Sequence, residues 1–133
     1  MQKIKLTNYA DIVRAQHGYL APELIRSIEV DASIDSRVTT LALPADLIAQ
    51  VGIKSVCPVD GSIVDSRRVI GIRLEICGRD MLTSAYVMPA GTTPLIGKIP
   101  LAELDLIIDP GRQGLRPNPE HPDGPIIDAM AAA

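Results

Sequence analysis

Apolar and polar residues alternate along most of this chain with the period of two that a strand with one buried face produces. Ile28, Val30, Ala32 and Ile34 are separated by Glu29, Asp31 and Ser33, and Ile70, Ile72, Leu74 and Ile76 keep the same alternation. Ile4 and Leu6 between Lys3 and Lys5 predict a first strand, and Leu82 to Met88 a returning strand after a turn at Gly78-Arg79-Asp80. Helical signals are fewer. Asn8 with Asp11 reads as an N-cap with an acidic first turn, opening a short helix to about Gln16 that Gly18 terminates. Pro44 precedes another short helix, and Pro100 to Leu104 a third, with Pro100 suited to a first turn. Ser55 to Val59 and Ile63 onward flank Asp60-Gly61, the strongest hairpin signal in the chain. Ala90-Gly91-Thr92-Thr93 marks a further turn. Many short strands with turns between them predict a mostly-β barrel or sandwich.

Composition narrows this. At 133 residues, 47% hydrophobic and 22% charged, the chain is long enough to close one core without disulfide or metal. We expect a single domain over residues 1–127 and a disordered tail over 128–133, with the proline run from Gln113 onward lying extended on the surface. The core must be aliphatic, because there is no Phe or Trp and only three Tyr. A net charge of -3, with basic residues scattered and no aromatic stacking platforms, argues against a nucleic-acid surface. No apolar run approaches the ~18 residues of a membrane span, which predicts a cytoplasmic protein without a membrane partner. Cys57 and Cys77 are too few for a disulfide scaffold and lie in apolar strand patterns, where they are expected to act as small buried hydrophobes. No ligand spacing suggests a metal, and no cofactor is implied.

The chemistry concentrates at Ile34-Asp35-Ser36-Arg37-Val38. Asp-Ser is first of all a common turn opening, in which the side chain bonds its own backbone and ends a strand. Here the carboxylate falls where a strand must stop, between apolar walls that are expected to raise its pKa. Asp35-Ser36-Arg37 recurs as Asp65-Ser66-Arg67, but the flanks differ and the repeat is read as chance.

An ordered set of blocks resembles the retropepsin-like aspartic peptidases, small bacterial members of that group in particular. Ile34-Asp35-Ser36 matches the strand end carrying the aspartate. Leu43-Pro44 closes the second apolar run, and Ala45 to Val51 supplies the helix before Gly52-Ile53. Asp60-Gly61-Ser62-Ile63 sits where the flap hairpin belongs, followed by the strand Ile72 to Gly78. Leu95-Ile96-Gly97 is similar to the second signature, two apolar residues and a Gly before the closing helix. The motif departs at two positions: Arg37 stands where the family has Gly, and Val38 where it usually has Ala.

The resemblance implies a closed mostly-β barrel of the acid-protease type with two or three short helices. It further implies an aspartic endopeptidase in which Asp35 of each protomer of a homodimer meets at a two-fold axis, sharing a proton while the flap closes over an extended peptide or protein substrate. Ser36 would take the place of the Thr that locks the two turns together. Arg37 opens an alternative, a catalytically inactive dimeric peptide-binding or structural module. A guanidinium near the carboxylates would remove the shared proton, whereas one turned to solvent, or paired with Asp31 or Asp65, would leave only a steric obstacle.

Overall fold

A computed structural model describes residues 1–53, 56–58, 67–109, 114–122 and 124, without the side chains of 56–58 and 67. Its strands are β1 (Gln2–Asn8), β2 (Ser27–Ile34), β3 (Leu41–Pro44), β4 (Val56–Pro58), β5 (Arg67–Ile76), β6 (Arg79–Met88), β7 (Leu95–Ile96), β8 (Leu106–Asp109) and β9 (Gly114–Pro117). Among the described residues three short α-helices intervene, α1 (Tyr9–Gln16), α2 (Ala45–Val51) and α3 (Lys98–Glu103), with a single 3-10 turn at Pro22–Leu24. The predicted flap residues Asp60, Gly61, Ser62 and Ile63, Asp65 and Ser66 of the second Asp-Ser-Arg copy and the 128–133 tail lie outside the described residues.

The strands pair in the order β1-β2-β7-β3-β6-β5-β4, and β5 also pairs with β1. That last pairing, Lys5 to Asn8 against Glu75 to Ile72, closes a six-stranded ring with β4 as an outrigger on β5. A slip in register between Val69 and Ile72 lets β5 turn from β4 to β1 along the same edge. The chain is therefore a mostly-β closed barrel with short helices: of the barrel and sandwich that its pattern allows, it is the barrel, as the resemblance implies. Ring closure removes the exposed edges that an open sheet of these strands would present. The largest buried side chains of the ring are aliphatic: Ile4, Leu6, Leu41, Leu43, Val69, Ile72, Leu74, Ile76 and Ile96 are all but excluded from solvent.

The predicted helices form, α1 with its predicted N-cap. Asn8 Oδ1 accepts from the Asp11 N–H at 3.1 Å, and Asn8 Nδ2 donates to the carbonyls of Val51 and Gly52, tying the start of α1 to the end of α2. Gly52 ends α2 at φ 72, where the Arg26 guanidinium lies over it and leaves no room for a Cβ. Helix α3 begins at Lys98, two residues before the predicted start. The loop between β2 and β3 accepts its first N–H groups, and Pro100, lacking one, still falls in the first turn.

Three expectations are corrected. The turn predicted over Gly78-Arg79-Asp80 is a two-residue hairpin at Cys77-Gly78, with φ 52 and 77, the doubly left-handed backbone of a tight hairpin; Arg79 and Asp80 already belong to β6. Cys77 is accordingly exposed rather than a buried strand residue, its thiol directed to the Leu115 carbonyl at 3.3 Å. The stretch after Gln113 is not simply extended surface chain, since Gly114–Pro117 pairs with Leu106–Asp109 and buries Leu115.

Candidate functional site

Asp35 leaves the end of β2 at a point fixed from both sides. β7 runs between β2 and β3, parallel to the first through Ser33–Leu95 and Ile34–Ile96 and antiparallel to the second through Leu41–Ile96 and Ala42–Leu95. Two strands joined by a short loop are thereby held apart by a third that arrives from far along the chain. The Asp35 N–H donates to the Ile96 carbonyl at 3.0 Å, continuing that pairing past the end of the strand.

The loop from Ser36 to Thr40 is stitched to the segment after β7. The N–H groups of Gly97, Lys98 and Ile99 donate to the carbonyls of Thr40, Val38 and Thr39 at 2.6, 3.0 and 2.8 Å. A Cβ on Gly97 would lie within 2.6 Å of the Val38 carbonyl carbon and closer still to the carbonyl oxygens of Val38 and Thr40. Glycine at 97 is therefore a requirement of close backbone approach, since its φ of -96 is open to any residue. Leu95, Ile96 and Gly97, predicted as a second signature, are thus brought directly against the Asp35 turn.

Arg37 determines the electrostatics of this turn. Its Nε and Nη2 donate to Asp35 Oδ1 and Oδ2 at 3.0 and 2.9 Å, a two-pronged pair, and its backbone N–H donates to Oδ1 at 3.0 Å. The turn closes locally through Val38 N–H to the Asp35 carbonyl at 3.1 Å. The guanidinium side chain is 89% exposed, while that of Asp35 is 19% exposed. These bonds from Arg37 hold the Asp35 pKa down to about 2. The expectation of a raised pKa is overturned: the apolar walls desolvate the carboxylate less than three hydrogen-bond donors stabilise its charge. Arg37 turns neither to solvent alone nor to Asp31; it folds back onto the aspartate two residues before it. Ser36 is exposed and Val38 half-buried.

Sequence reading missed Thr40, buried in the loop with its carbonyl on Gly97, because a backbone acceptor leaves no signature in residue type. Among the described residues no cluster of His, Cys, Asp or Glu could hold a metal, and no helix is long and apolar enough to cross a membrane.

The fold and this turn define a closed β-barrel in which an aspartate-bearing loop is interlaced with a Gly-containing strand end. No family model and no curated protein matches the sequence. Among solved structures it is similar to the retroviral protease-like domain of Ddi1 from Leishmania major, at 13% identity and a TM-score of 0.49, over 96% of this chain and 94% of that one. At that distance the likeness assigns no residue a role.

Proposed function

We propose that this chain is a retropepsin-like module whose aspartate turn is built but silenced, and which binds extended peptides as a homodimer without cleaving them. The observation that carries this reading is the two-pronged Arg37–Asp35 pair. An aspartic peptidase needs two carboxylates sharing one proton, one activating water and the other donating to the scissile carbonyl. A carboxylate whose pKa lies at about 2 holds no proton from mildly acidic to neutral pH. In a dimer that brought two such turns together, each aspartate would arrive already neutralised by its own arginine. The like-charge repulsion that forces two carboxylates to share a proton would then be absent.

A second reading, an active aspartic endopeptidase, is favoured by the state of the scaffold. The Asp35 N–H, Gly97 and the loop carbonyls keep the turn fixed, and only one largely exposed side chain occupies the carboxylate. Displacement of Arg37 by substrate or by the partner subunit would free it.

Cleavage of an unstructured peptide library across pH 4 to 8 separates the two. We expect no turnover by the protein itself and activity at acidic pH in Arg37→Gly. Turnover by the unaltered chain that disappears in Asp35→Asn would overturn the silent reading in favour of the peptidase.

A further inference from the structure

The residues paired across the sheet beside the Asp35 turn form a continuous row. Leu95 of β7 pairs with Ala42 of β3, Ala42 with Tyr86 of β6, and Tyr86 with Arg68 of β5. Directly paired residues share a face. The next row, Ile96, Leu41, Ala85 and Val69, is buried in the barrel interior, so this row lies on the outer face, although Ala42, small and set between Leu95 and Tyr86, is itself buried there. Asp35 emerges on that same side, one residue past the inward row on β2.

Arg68 at the far end is fixed in place. Its guanidinium carbon stands 5.6 Å from the centre of the Tyr86 ring, and its Nε donates to Ser84 Oγ at 2.8 Å. Both partners are uncharged, and among the described residues no carboxylate pairs with it, in contrast to Arg26, Arg37 and Arg73. The stack and the hydroxyl occupy one face and one nitrogen, and among the described residues the two terminal nitrogens have no partner, the arrangement of a fork for a carboxylate.

We propose that Arg68 is a specificity determinant of the peptide-binding face, selecting an Asp or Glu side chain in an extended peptide laid along the row from Leu95 to Arg68; this rests on the peptide-binding reading above. Three strand spacings separate Leu95 from Arg68, roughly 14 Å, which an extended chain covers in about four residues. The acidic residue therefore lies about four positions from the one seated over Leu95, beside the Asp35 turn. Charge complementarity and continuity with that turn identify the occupant as an acidic peptide.

The test is fluorescence anisotropy at low ionic strength with fluorescein-labelled ten-residue peptides, identical except for Glu or Gln scanned along their length. At one position the Glu peptide should bind about three- to fivefold tighter than its Gln counterpart, the range of an exposed ion pair. Arg68→Gln should erase the difference while Gln peptides bind as before, and Arg68→Lys, which keeps the charge without the fork, should retain part of it. Equal binding of Glu and Gln peptides at every position, or a preference that survives in Arg68→Gln, overturns the assignment to Arg68 and leaves peptide binding standing. Failure of every peptide to bind overturns the underlying reading together with this one. Thermal unfolding of both variants alongside the parent identifies any loss due to misfolding, in which case the Lys variant decides.

Discussion

A single side chain governs what the aspartate can do. Asp35 is stabilised as a carboxylate first by the Arg37 guanidinium and then by the Arg37 backbone N–H. Replacement by glycine removes the first and leaves the second. In Arg37→Gly the Asp35 pKa should therefore rise from about 2 toward, without fully reaching, the ordinary value near 4. Titration of the side-chain carboxyl by carbon-13 NMR reads this directly, and an Asp35 still titrating near 2 in the glycine variant would refute the cause assigned here. The sign of the stability effect follows from linkage. A carboxylate with a depressed folded-state pKa contributes stability above its unfolded value, and that contribution is lost as pH falls through the folded one. Between about pH 4 and 2, the parent should accordingly lose more stability than the glycine variant, whose Asp35 is less depressed.

The short elements depend on ties that single residues supply. α1 has eight residues, too few to persist on propensity alone, so its cap and its packing hold it. Asn8 does both: its oxygen caps α1 and its nitrogen satisfies the last carbonyls of α2. Asn8→Ala should cost about 2–3 kcal/mol, the sum of a lost cap and buried acceptors left unpaired, measured as a drop in urea midpoint at unchanged slope. Asp11, the first charged residue in that helix, is buried beneath the partly exposed Arg26 guanidinium, so the acidic first turn seen in the sequence is also half of a partly buried ion pair. Caps of this kind were legible because Asn at a helix start with Asp three residues on has a mechanism behind it. The hairpin at Cys77-Gly78 was not: the usual Asn-Gly or Asp-Gly pair is absent, and Gly78-Arg79-Asp80 offered a better-looking turn one residue later. The Asp35–Arg37 pair was half legible. Arginine could be seen to threaten the carboxylate, but sequence does not say which way a long side chain folds, and the closest acid proved to be the one it follows.

Long-range order comes from the closed ring and from what is fastened to it. The alternation of Ile70 to Ile76 and Ile28 to Ile34 predicted strands and a barrel or sandwich, whereas the insertion of β7 between β2 and β3 rests on backbone pairing between residues some 60 apart, as Ser33 and Leu95 are, which no local pattern carries. The β8–β9 hairpin is a separate two-stranded sheet, an arrangement barely stable alone. Arg79 fastens it to the barrel. Almost fully buried at the start of β6, it donates to the carbonyls of Leu104 and Asp105 at 3.0 and 2.9 Å and to that of His121, bracketing the hairpin from both ends. Asp105 adds its own bonds to Asn118 and His121. Lysine keeps the charge but cannot reach three carbonyls in the plane of a guanidinium. Arg79→Lys should cost about 2–3 kcal/mol through acceptors left unpaired. The loss should fall unevenly: amide exchange at Ile107 and Arg116 should accelerate well beyond that of Leu6 and Leu74 in the ring. Uniform acceleration across hairpin and ring would mean that the two unfold as one unit, and that Arg79 contributes to the whole barrel rather than to the tie.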